Sequence, residues 1–110
     1  MASARRFGEK VRWTLRQPPE LIGGAQLVRW TVIDERHRPT GDCRQIVGGT
    51  LQGPAAGLAI CQYEGEESYY LFGCDANWNT VTDTWHETLE QAPQQAEFEY
   101  EGVAATWNTV

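Results

Sequence analysis

The stretch SYYLFGCDANWNTVTDTWHETLEQAPQQAEFEYEG, Ser68–Gly102, decides the fold, because strand chemistry gives way within it to helical spacing. Its first run, Ser68–Cys74, is apolar and aromatic, as is the preceding run Leu58–Glu64. Only Gly65-Glu66-Glu67 separates the two, and a three-residue connection containing glycine predicts a hairpin. Asp75–Asn79 reads as a second turn. Thr80–Trp85 then sets Val81 and Trp85 among threonines, the pattern of a further strand.

A helix is expected next. Thr88 with Gln91 three residues on has the capping-box spacing, and Thr84 with Glu87 offers the same pattern one turn earlier. Pro93 chooses between them: a cap at Thr84 would place the proline deep inside the helix, at a cost of about 3 kcal/mol. From a start at Thr88, the residues Leu89, Ala92, Pro93, Ala96, Tyr100 and Val103 form one apolar stripe, and Glu90, Glu97 and Glu101 fall away from it. Gly102 is the expected C-cap. A competing pattern is present, since Glu97-Phe98-Glu99-Tyr100-Glu101 also alternates with the period of a strand.

Outward from this unit, Val11, Trp13 and Leu15 alternate with polar residues and predict a strand ended by Pro18-Pro19. Residues 1–9 read as a flexible N-terminus. After Gly23-Gly24, the run Gln26–Asp34 places Val28, Trp30 and Val32 on one face of a second strand. A polar turn at His37–Asp42 leads to a short run, Cys43–Val47, expected to pair antiparallel with it. Gly48–Gly57, with four glycines and Pro54, reads as a loop. Trp-Asn-Thr-Val occurs at both 78–81 and 107–110 without a longer repeat around it. The expected architecture is a single α+β domain over residues 1–110. It comprises an antiparallel meander of about five strands with one C-terminal amphipathic helix on one face.

The 110 residues suit one domain, and 41% apolar with 22% charged residues is an ordinary globular composition. No run approaches the roughly 18 apolar residues of a membrane span, and Met1-Ala2-Ser3-Ala4-Arg5-Arg6 leads into no signal-like apolar segment. Cytoplasmic location and no membrane partner are therefore expected. Cys43, Cys61 and Cys74 are an odd number without a close pair, which fits free buried thiols and neither a disulfide framework nor a zinc site. No cofactor or metal is expected.

The net charge of −6 is unevenly spread: all nine basic residues lie between Arg5 and Arg44, and ten of the fifteen acids follow Gly53. That polarity either steers a partner by its field or is neutralised within the fold. With a sequence pI of about 4.8 and no phosphate loop or recognition motif, nucleic-acid binding is not expected.

Two candidate sites follow from the residues. One is the acidic outer face of the helix, Glu90, Glu97 and Glu101 with Phe98 among them, an arrangement suited to a basic protein partner. The other is Asp75, Asp83 and His86, carboxylates and an imidazole in one segment, as acid–base chemistry would need. In that second reading the chain is a small-molecule-binding protein or enzyme with an aromatic pocket under the glycine-rich loop 48–57. No motif specifies a catalytic residue, and a non-enzymatic interaction module is the leading expectation.

The segments Cys74–Thr88 and Gln95–Gly102 resemble a group of small bacterial proteins of no established activity that share this signature. The resemblance implies a bacterial cytosolic origin and assigns no catalytic residue. Asp83-Thr84 and Thr88-Leu89-Glu90 are similar to the HicB-type antitoxin half-fold, in which a hairpin passes through an acid–threonine step into a helix beginning Leu-Glu.

Overall fold

The computed structural model describes residues 17–40, 46–47, 50–51 and 54–110. The expected strand at Val11–Leu15, the N-terminal nine residues and most of the run from Cys43 lie outside them. In chain order the strands are β1 (Leu21–Ile22), β2 (Ala25–Val32), β3 (Arg38–Pro39), β4 (Ile46–Val47), β5 (Thr50–Leu51), β6 (Gly57–Gln62), β7 (Tyr69–Cys74) and β8 (Thr80–His86). Helix α1 (Gln91–Glu99) follows, then β9 (Tyr100–Glu101), a 3-10 turn at Val103–Ala105 and β10 (Asn108–Thr109).

The main sheet is antiparallel and ordered β1-β2-β6-β7-β8, so the fold is α+β with a curled five-strand path. β6 takes one edge of β2. The other edge is shared by β1, opposite Ala25 and Gln26, and β10, opposite Arg29 and Trp30. The hairpin at the centre of the sequence reading is β6–β7, with Cys61 opposite Tyr70 and Gly57 opposite Cys74. The expected strand at Thr80–Trp85 is β8.

Both faces of this sheet are apolar. On one, Leu58, Ile60 and Leu71 meet Ala92 and Ala96 of α1, together with Tyr100 and Val103. On the other, Leu27, Ala59, Cys61, Phe72 and Cys74 gather with Ile22, Ala25 and Trp78 inside the curl. The Tyr63 hydroxyl donates to the Gly23 carbonyl at 3.0 Å and ties the β1–β2 turn to the end of β6. Burial of a single Leu or Ile side chain contributes on the order of 2 kcal/mol, so two occupied faces give a thin sheet two separate sources of stability.

Four sequence expectations change. Val28, Trp30 and Val32 do not share a face, because the pairing with β6 slips between Leu27 and Arg29. The extra residue of this bulge is Val28, which joins the helix-side cluster, while Trp30 and Val32 join the opposite one. Ile46–Val47 pairs with β5 and not with β2, whose edges are already taken. The 48–57 stretch is accordingly not all loop: it contains β5, and Gly57 opens β6.

The helix is also shorter at both ends. It begins at Gln91, with no side-chain cap, and the Gln91 amide oxygen instead accepts the Glu87 N–H at 2.8 Å. Pro93 falls in the first turn, where its missing N–H had no partner to lose. The helix stops at Glu99 because Tyr100–Glu101 turns extended to pair with Arg38–Pro39. The competing period-two reading was therefore right for two of its five residues. Gly102, at φ +103°, leads into the 3-10 turn instead of capping α1, and a Cβ there would lie 2.7 Å from the Arg36 carbonyl oxygen.

Candidate functional site

The four residues singled out in the sequence, Glu90 just before α1, Glu97 and Phe98 on it and Glu101 in β9, have different roles. Glu97 turns back onto the chain, and its two carboxylate oxygens accept the backbone N–H groups of Gly102 (3.0 Å) and Ala104 (3.1 Å). Donors at the start of a helical turn are otherwise orphaned, and a carboxylate is the strongest acceptor for them. Glu101 forms an ion pair with Arg38 across the β3–β9 pairing, which joins one basic residue of the first half of the chain to one acid of the second. Glu90 is exposed, and Phe98 is 50% exposed while its carbonyl accepts the Thr40 hydroxyl.

Asp75, Asp83 and His86 are held apart. The Asp75 carboxylate accepts the N–H groups of Asn77 and Asn79, each at 2.9 Å, and the Asn79 side-chain amide at 3.1 Å. These bonds, from Asn79 above all, hold its pKa below the usual carboxylate value. They also fold the turn that presents Trp78 at φ +64°. Cys74 lies opposite Thr80 and Tyr69 opposite His86, so the six steps between Thr80 and His86 separate Asp75 from the imidazole by about 20 Å along the strand. Asp83 is exposed on the other face of β8 from His86, whose Nε2 lies 2.8 Å from the Thr84 hydroxyl. Burial lowers the pKa of His86. No reacting atom could touch all three groups.

Two constellations were not read from the sequence. The first is on β8, the outermost strand of the main sheet among the described residues. Trp85 is 57% exposed there, opposite Tyr70, and Asp83 shares its face two residues away. Exposed Glu87 and Glu90 follow directly. The signal was present as a tryptophan in a threonine-rich alternating strand, but alternation alone does not say which face is covered.

The second is buried. His37 Nε2 lies 2.9 Å from the Thr106 hydroxyl, which lies 2.7 Å from the Thr31 hydroxyl, and the Asp34 carboxylate approaches His37 Nδ1 at 3.6 Å. Hydroxyl, imidazole and carboxylate are the composition of a nucleophilic triad, but the proton is on the wrong nitrogen for one. The Asp34 N–H donates to Nδ1 at 3.1 Å, so Nδ1 carries the lone pair and Nε2 carries the proton that it donates to Thr106. A ring in that tautomer cannot take a proton from Thr106, whereas a triad base must. The cluster joins β2, the Asp34–His37 turn and the segment before β10. No local signal reveals it, since His37 and Thr106 are 69 positions apart.

Cys61 and Cys74 are buried free thiols, each pushed up to about 12, chiefly by burial. Among the described residues no three His, Cys, Asp or Glu side chains gather to hold a metal ion, and no helix is long and apolar enough to cross a membrane. Comparison with protein families, with curated proteins and with solved structures found no match.

Proposed function

We propose that the chain is a non-enzymatic protein-interaction module that receives a basic, extended segment of a partner along β8. The observation that carries this reading is Trp85, a large aromatic more than half exposed on an outer strand. Outer strands offer unpaired backbone groups to another chain, and an exposed aromatic beside them supplies an anchor. Exposed Asp83 on the same strand, and exposed Glu87 and Glu90 in the segment after it, favour Lys and Arg in the partner, and a cation over the indole face adds further attraction. The expectation of an acidic surface and a basic partner is thus kept, but its centre moves from Glu97 and Glu101, which serve the fold, toward β8. Phe98 stays exposed on the helix and Glu90 just before it.

A nine-residue peptide of alternating lysine and valine is the probe. Backbone amide shifts confined to Thr80–His86, with micromolar to millimolar affinity that weakens as salt rises, are the expected result. Trp85→Ala and Asp83→Lys should each weaken binding, and Phe98→Ala should not. Shifts centred on α1, or equal binding by all variants at the same salt, would overturn the β8 reading. An aromatic pocket under residues 48–57 would show as binding of small apolar molecules that leaves the β8 amides unmoved.

A further inference from the structure

The His37 cluster has a property that neither face of the sheet explains: the ring is fully buried and both of its nitrogens are already committed. Nδ1 accepts the Asp34 N–H, and Nε2 donates to Thr106. Through Thr106 the ring holds the segment whose next residues close the sheet. Asn108 and Thr109 pair with Trp30 and Arg29, the Asn108 side chain donates to the Trp30 carbonyl, and the Val110 N–H donates to the Val28 carbonyl at 3.1 Å. Trp107, between them, packs on the helix-side core.

We propose that His37 is an acid-operated latch, in which a proton added at Nδ1 sets two N–H donors against each other and releases the Thr106–Val110 segment from β2. In the closed state the Nδ1 lone pair receives the Asp34 N–H. Once that lone pair binds a proton, the ring has a donor on each nitrogen, and the Asp34 N–H faces another N–H at 3.1 Å. The ring must turn away, and its bond to Thr106 goes with it.

The groups around His37 decide how readily this occurs. Asp34 and Glu35 on the same turn and Glu97 from α1 favour the proton, while Arg36 opposes it. The nearest of these acids, Asp34, has its Oδ1 3.6 Å from Nδ1, beyond hydrogen-bond reach, and is engaged elsewhere. Asp34 already accepts the Arg36 backbone N–H and both Nε and Nη2 of the Arg36 guanidinium. Burial opposes the proton most strongly and places the transition below the usual imidazole value of 6.5. The Thr106 hydroxyl, itself 2.7 Å from the Thr31 hydroxyl, is the polar group at Nε2.

The test is amide hydrogen exchange of the whole chain at pH 7.5 and pH 5.0, corrected for the intrinsic rate. Protection of the 106–110 amides should fall about tenfold or more, while the β6–β7 amides change far less, as expected for a local opening. A parallel fall in both regions, or none in either, overturns the latch. His37→Gln should abolish the pH response, and His86→Gln should leave it intact; the reverse pattern assigns the response to His86 and removes the proposal. If His37→Gln does not fold, the imidazole nitrogen shifts of the unaltered protein decide. The Nε2–H tautomer at pH 7.5 is required, and finding Nδ1–H there overturns the proposal.

Discussion

Trp78 lies so close over Gly57 that a Cβ on the glycine would fall 2.6 Å from Cη2 of the indole. The tryptophan is carried there by the left-handed turn that Asp75 folds, and it meets Trp30 edge to face with ring centroids 6.0 Å apart. Gly57→Ala should therefore cost about 1–3 kcal/mol, since a buried ring has no free space into which to retreat. Urea unfolding followed by tryptophan fluorescence measures this, and an unchanged midpoint would show that the indole can move.

Glu97 is expected to matter to stability and not to recognition. Glu97→Ala strips acceptors from two backbone N–H groups and should cost about 2 kcal/mol, and Glu97→Gln, which keeps one good acceptor, about half of that. Thermal unfolding separates the two variants. Binding of the lysine–valine peptide by whatever remains folded should be unchanged.

Acid should weaken the fold in two steps. His37 and His86 are held below 6.5 in the folded chain by burial, so the unfolded chain binds more protons as pH drops below that value. Their contribution is complete above about pH 6.5 and is lost as pH falls toward their folded values. The carboxylates of Asp34, paired with Arg36, and Asp75, bonded by Asn79, titrate below 3.8 in the folded chain. Their contribution is complete above that value and lost only in stronger acid. Urea midpoints between pH 8 and pH 3 should fall in two stages, and His37→Gln should reduce the first.

Cys61 and Cys74 should be chemically silent in the native state, because a thiol pushed up to about 12 and shielded by the curl offers almost no thiolate at pH 8. In a Cys43→Ser variant, a disulfide reagent should release little chromophore until denaturant is added, and then two equivalents. Rapid native labelling would mean that the curl opens readily.

The parts of this fold visible in the sequence are those that neighbours along the chain determine. The β6–β7 hairpin follows from two apolar runs and a short glycine turn. The stripe Ala92, Ala96, Tyr100 and Val103 packs on the sheet even though the backbone changes from helix to strand and 3-10 turn along it. What could not be read depends on distant partners. Val28 looks like a member of one strand face until β6 is present to force a bulge beside it, and Tyr100 looks helical until Pro39 lies opposite. The same holds for the candidate sites. Glu97 and Glu101 read as free acids because their partners, a later backbone turn and Arg38, are invisible to helical periodicity, and the exposure of Trp85 could not be read because alternation does not reveal that β8 is the outermost strand among the described residues.

β10 joins residues separated by almost eighty positions, since Asn108 pairs with Trp30. A nascent chain therefore carries β2 with an incomplete border until some eighty further residues have been made, and the sheet can close only when residues 108–110 have cleared the ribosome. Completion of the fold is thus a late, long-range event, of the kind that slows folding and leaves growing chains open to mispairing. Without residues 108–110 a molecule would stay at that stage.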